Sequence, residues 1–451
     1  MTEITGEEFN KLLAVSGEIS GYKVLSDGLS FIILPDLNEI YIKNCTFIGD
    51  SIKVKSNPFN LEQSIYFSDV NFYNENRLAF DNCTFKNLIF TQVHLKCIIE
   101  VNTPNIESLR LERLTANSSF VMDGNIKSVF ITMSTFSNII ICDKLYSFEF
   151  SIYKCSLEGL TIINSKIERY TNLKNKFLRQ INASADHFYR SVELGSFYFA
   201  ENVIGQNVEL RSCNITKNLE LRKNKTSEKA LSIRFENCEI KGKLKFTENH
   251  LSKLIFKDIE VQNDAHFDDL KVDSIYFSDL IFHKNTYIDN LTINKLEECE
   301  RKTLRQIKYS IQKTDNKIDY NRFRAYELTA YYRELKWYGD FIDKFVLGAT
   351  ILSTGYNHSW RRALLFTIGF GLFWYSTLYF LQHHGHFSIY ELNNYFNGAF
   401  RFFLVTDFSS PFEEKGKYLQ TAWLWIPLIL GKIFIAFGIY EMIQAFRKFK
   451  A

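Results

Sequence analysis

From about residue 20 to residue 293, apolar and polar positions alternate over short runs that are broken by Asn- and Asp-rich steps. A period of two bounded by such steps predicts short β-strands and turns. Residues 231–293 divide into three consecutive 21-residue units, LSIRFENCEIKGKLKFTENHL, SKLIFKDIEVQNDAHFDDLKV and DSIYFSDLIFHKNTYIDNLTI. Stacking them aligns Ile233, Leu254 and Ile275, then Phe235, Phe256 and Phe277, then Cys238, Ile259 and Leu280, then Ile240, Val261 and Phe282. A fixed period of this size predicts a solenoid whose coils bury their apolar faces by stacking. Looser copies occur upstream: Ser64–Phe72 nearly repeats Ser274–Phe282, and Ile42–Phe47 shares its polar-Asn-Cys-Thr-Phe step with Phe80–Phe85. Asn, Cys and Ser at the turns are expected to point inward and hydrogen-bond to the next coil.

Two segments break this pattern. Leu178-Arg179-Gln180-Ile181 followed by Tyr189–Leu194, and Leu304-Arg305-Gln306-Ile307 followed by Phe323–Leu328, each read as an antiparallel helical hairpin. In the second, Leu304, Ile307 and Ile311 recur at helical spacing, and Thr314-Asp315-Asn316 supplies a turn and a cap. The hairpins are expected to cap the solenoid. The second, within a stretch (301–345) of eleven Lys/Arg and six Asp/Glu, also suits contact with anionic lipid headgroups.

The C-terminal pattern differs again. Ala363–Gln382 is twenty residues without a charge, long enough to cross a hydrocarbon core. Leu419–Tyr440 contains a single charge, Lys432. Arg361 and Arg362 precede the first run, and Arg447 and Lys448 follow the second. By the positive-inside rule both termini and the solenoid are expected in the cytoplasm, with the 383–418 loop outside. Between the runs, residues 390–411 form an aromatic stretch too short to span, which suits a re-entrant helix. The expected organisation is therefore a first β-helix part at 1–169, a helical hairpin at 170–200, a second β-helix part at 201–295, a juxtamembrane hairpin at 296–345 and a transmembrane domain at 346–451. Its spans are placed at about 361–382 and 419–442.

Composition narrows the function. With 54 basic and 51 acidic residues the chain lacks the footprint of a nucleic-acid binder. The eight cysteines are scattered without a CxxC pair, and with an acidic start that lacks a secretory signal they read as reduced, buried thiols. There is no Gly-rich phosphate loop, no HExxH and no GxSxG, so neither catalysis nor a cofactor or metal is expected. His383, His384 and His386 cluster beyond the first run, as a metal or pH site or simply a solvated loop.

The repeats resemble pentapeptide-repeat and right-handed β-helix proteins, which implies a mainly β solenoid of about 21–25 residues per coil. Residues 297–450 resemble the two-helix, pore-loop ion channels: span, short pore helix, Thr-led filter, Pro, span, basic tail. The resemblance implies a bacterial multi-pass inner-membrane protein that self-associates, as that family does in fours. The filter would be Thr406-Asp407-Phe408-Ser409, without the glycines that let successive carbonyls face an ion in potassium channels. An Asp407 ring would favour cations. A ring of Lys432 would favour anions, unless that residue snorkels or pairs with a neighbour's acid, and Arg401 adds a second charge in the pore helix. The expected function is an oligomeric channel gated by its β-helical domain through an unknown cytoplasmic protein or ligand, with a stress or phage-defence trigger implied by the resemblance. The alternative is a membrane-anchored scaffold without a pore.

Overall fold

The computed structural model describes residues 1–25, 30–32, 37–49, 51–55, 63–73, 77–102, 105–177, 181–184, 192–204, 207–226, 231–355, 359–382, 392–412 and 417–447. The chain forms two compact units, Met1–Cys299 and Glu300–Ala451.

The first unit is a parallel β-solenoid of about 12 turns. Its described strands pair in parallel with strands one coil away. The three 21-residue units stack in the expected register: Ile233, Leu254 and Ile275 form one rung, and Phe235, Phe256 and Phe277 the next. Inward rungs are dry and partly aromatic, with Phe67 stacked on Phe90 at 4.8 Å and Phe47 on Phe72 at 5.0 Å.

One corner recurs along the stack. At Asn44, Asp69, Arg113, Lys154, Lys223 and Asn290 a non-glycine residue adopts φ of 50–55°. A left-handed backbone costs an L-residue about 1–2 kcal/mol. Here it turns the amide along the stack: Asn44 N donates to Ser68 O at 3.0 Å, Arg113 N to Thr132 O at 3.0 Å and Lys223 N to Thr247 O at 3.0 Å. The next residue then points inward, and it supplies the ladder expected from the turns. Asn175, Asn202, Asn224 and Asn249 are buried in succession. The Oδ1 atoms of Asn202, Asn224 and Asn249 accept from the main-chain N of Asn175, Asn202 and Asn224 at 2.9, 3.2 and 3.1 Å. Ser134 Oγ accepts from Leu114 N at 3.0 Å in the same column.

All eight cysteines are free and buried. Burial pushes the Cys97 and Cys155 thiols up to about 11, which leaves them protonated and unreactive at neutral pH.

The expected hairpin at 170–200 is not helical in its described residues. Lys166–Leu173, Lys176–Phe177, Ile181–Ser184 and Val192–Ala200 are strands that continue the stack. The alternation of buried Val192, Leu194, Phe197 and Phe199 with outward Glu193 and Tyr198 has period two. It pairs Phe197 with Tyr170 and Leu219 and so overrides the weaker 3.6-residue spacing. Residues 178–180 and 185–191, which carry part of that expectation, lie outside the described residues.

The solenoid opens with helix α1 (Gly6–Ser16), which packs Phe9 and Leu13 onto the first coils. Thr5 and Glu8 form a capping box at its start, and Gly17 closes it at φ 66°. Thr5-x-x-Glu8 is the sequence signature of this helix start.

The second unit is helical. Helices α2 (Arg301–Gln312) and α3 (Lys317–Glu334) are the expected hairpin, with Leu304, Ile307, Ile311 and Phe323 buried between them. Asn316 caps α3, its Oδ1 accepting from Asp319 N at 3.2 Å. Glu327 is buried and accepts from Arg305 Nε at 2.8 Å and Lys308 Nζ at 2.6 Å. Burial raises its carboxyl, but those two hydrogen bonds outweigh it and hold the group below its usual range. Helix α4 (Phe341–Thr354) follows as an element of its own, then α5 (Trp360–Gln382), α6 (Leu392–Phe402) and α7 (Ala422–Arg447).

Candidate functional site

Helices α5 and α7 are long and apolar enough to cross a membrane. They pack antiparallel: Trp360 stacks on Phe446 at 5.7 Å near one end, and Phe370 stacks on Phe434 at 5.1 Å further along. Both helices leave large apolar side chains uncovered: Leu365, Phe373, Trp423 and Ile433 stand exposed. Large apolar side chains left uncovered in this way mark a surface that contacts lipid or a partner protein.

Residues 392–403 pack against both helices. Tyr375 Oη donates to Tyr395 O at 2.6 Å, anchoring α6 to α5. Glycines open the seats for its end: a Cβ on Gly371 would lie 2.4 Å from the ring of Phe403, and one on Gly431 would lie 2.4 Å from the ring of Phe402. Close approach at small residues is how helices pack without a hydrophobic drive.

The charge that sequence reasoning left open is placed by these contacts. Lys432 is 3% exposed, and its Nζ donates to Phe402 O and to Leu404 O, both at 2.6 Å. These carbonyls sit at the C-terminus of α6, where an unpaired helix end carries partial negative charge and favours a cation. Lys432 is therefore tied to the main chain of its own chain. This contact was not legible, because carbonyl partners leave no mark in sequence.

The loop after α6 is a compact turn. Asp407 N donates to Leu404 O at 3.1 Å, and Asp407 Oδ1 accepts from Ser409 N at 3.0 Å and from Ser409 Oγ at 2.5 Å. Arg401 Nη2 donates to Ser409 Oγ at 3.4 Å, so Arg401, Asp407 and Ser409 form one polar network. Among the described residues 403–412 none has a left-handed backbone. The loop thus keeps the right-handed or extended backbone expected of a glycine-free sequence. Thr406 and Phe408 are exposed and Asp407 is half-buried, whereas Ser410 is fully buried.

Arg361 and Arg362 lie exposed in the first turn of α5, with Arg361 over the Trp360 ring at 5.8 Å. Arg447 ends α7. Lys448 and the three histidines His383, His384 and His386 lie outside the described residues. Helix α4 packs on α5 and also reaches α7, where Thr354 Oγ1 donates to Glu441 Oε2 at 2.9 Å, both side chains buried. No group of three or more metal-ligating side chains occurs among the described residues.

No protein-family model, curated protein or solved structure matches the chain. The functional reading therefore rests on the geometry.

Proposed function

We propose that the chain is one subunit of an oligomeric membrane channel whose solenoid receives a cytoplasmic signal. The observation that carries this reading is a loop folded back between two apolar helices and pinned there by a buried lysine. Main chain without helical or sheet pairing is tolerated at membrane depth only where protein or a water-filled cavity covers it. Two helices cannot enclose a path, so a pore requires further copies around an axis, and four is the number the resemblance to two-helix, pore-loop channels implies. Both termini lie on the cytoplasmic side of a bacterial plasma membrane in this reading, because Arg361, Arg362, Arg447 and Lys448 flank the spans on one side.

Permeation favours cations. Lys432 is held by carbonyls of its own chain, and Asp407, beside exposed Thr406 and in one network with Arg401, is the acidic group of the turn that would attract cations. Recording from the purified protein in planar bilayers tests the proposal. Unitary currents with a cation preference that Asp407→Asn reduces support it. Silence across voltage, pH and salt, from protein that resists alkaline extraction from membranes, supports a membrane-anchored scaffold instead.

A further inference from the structure

Helices α4 and α5 diverge around an open groove of about 870 Å³. Its walls are Ile351 and Leu352 from α4 and Leu365, Phe366 and Phe373 from α5, and its one charged residue is Arg362. We propose that this groove binds a single anionic phospholipid, the phosphate held at Arg362 and one acyl chain laid along α5; this rests on the membrane reading above.

Three observations specify the occupant. First, the charge lies at one end. Arg362 is exposed and belongs to the first turn of α5, beside Arg361 and the aromatic Trp360. Among the described residues it has no acidic partner. Second, the length fits. From Arg362 to Phe373 the helix rises about 16 Å at 1.5 Å per residue. That is about half of a 30 Å hydrocarbon core, the depth of one leaflet. Third, the slot is open where a chain would pass. Leu365, Gly369 and Phe373 succeed each other at four-residue spacing on one helix face, and a Cβ built on Gly369 would meet no atom within 4 Å. A protein helix would need polar partners for Arg362, whereas a lipid phosphate supplies a bidentate acceptor.

The full-length protein, released from vesicles of mixed phosphatidylglycerol and phosphatidylcholine, is examined by native mass spectrometry for retained lipid. The wild type is expected to retain one phosphatidylglycerol per chain in preference to phosphatidylcholine. Arg362→Gln is expected to lower that preference about fivefold, the effect of one interfacial cation. Gly369→Leu narrows the slot at a position whose Cβ meets no atom within 4 Å, and is expected to remove the retained lipid whatever its headgroup while leaving the thermal midpoint unchanged. Equal retention of both lipids by the wild type, unchanged preference in Arg362→Gln, or undiminished retention in Gly369→Leu would each overturn the site. A change of subunit number in Gly369→Leu would assign the groove to a second copy and also overturn it. Protein that washes off the vesicles with alkaline carbonate would remove the membrane reading itself, a result distinct from the loss of headgroup preference alone.

Discussion

The solenoid keeps its large apolar side chains inside, whereas helices α5 and α7 also present many of theirs outward. In the solenoid, large aromatics such as Phe67, Phe80, Phe85 and Phe90 are fully buried, and the outward positions carry charge, as in Glu236 bridged by Lys257 at 2.7 Å. In α5 and α7, Leu365, Phe373, Trp423 and Ile433 face outward, while the polar groups, Lys432 and Glu441, lie inside. Both units satisfy buried polar groups, but by different means. The solenoid repeats one contact from coil to coil. The C-terminal unit makes each contact once, with a different partner for each. A repeated contact is legible as a period, and a single one is not.

That contrast can be broken experimentally. The largest effect is expected from Asn224→Leu in the ladder. It leaves the Asn202 main-chain N–H and Phe199 O unsatisfied in a dry column, a loss of about 4 kcal/mol at about 1–3 kcal/mol per stranded group. Urea unfolding of the full chain, followed by the reactivity of the buried cysteines, measures it, and a loss below 1 kcal/mol would show that water substitutes in the column. Next is Lys432→Met, which strips two carbonyls of a charged donor and should cost the C-terminal unit about 3 kcal/mol. Residues 300–451 contain no cysteine. A maleimide should therefore ignore Ser410→Cys in the wild-type background, where Ser410 is buried, and should modify it in Lys432→Met. Equal protection in both would show that the lysine does not hold the loop.

Glu327→Gln comes third, at about 2 kcal/mol, since it breaks a buried carboxylate's bonds to Arg305 and Lys308. The folded-state value of Glu327 is depressed, so its contribution is complete above the unfolded value near 4.5 and fades as the pH falls through the folded one. The wild-type and mutant thermal midpoints should converge on acidification. A gap that persists at pH 2 would assign the effect to packing. Deleting residues 251–271 removes one whole unit, and since Leu251 and Val272 are register partners the remaining coils can restack, so stability should fall by one repeat's own and interface terms while the cooperative fold persists.

Much of the first unit was legible, because each signal occurred many times. The rungs Phe235, Phe256 and Phe277 stand in the sequence as they stand in space. The failure at 170–200 has the same origin: Ile181 and Val192–Leu194 fit a helix over a few residues, and only the neighbouring coils, pairing Ile181 with Leu160 and Val208, decide for strand. In the second unit the apolar lengths and the hairpin cap at Asn316 were legible. The placement of Lys432, the seats at Gly371 and Gly431, and helix α4 were not, since each depends on a neighbour remote in the chain.

The left-handed corners have a consequence for synthesis. The strained amides of Asn44, Asp69, Arg113, Lys154 and Lys223 find their acceptors only in residues still to be made, as Asn44 waits for Ser68 and Lys223 for Thr247. Until that acceptor arrives the corner has nothing to offset its unfavourable torsion, so a nascent coil should stay unsettled until its successor emerges. Maturation of the stack would then trail the ribosome by one coil, and a pause in translation would leave a single loose edge at the growing end, with the helix that shields the first coils already folded.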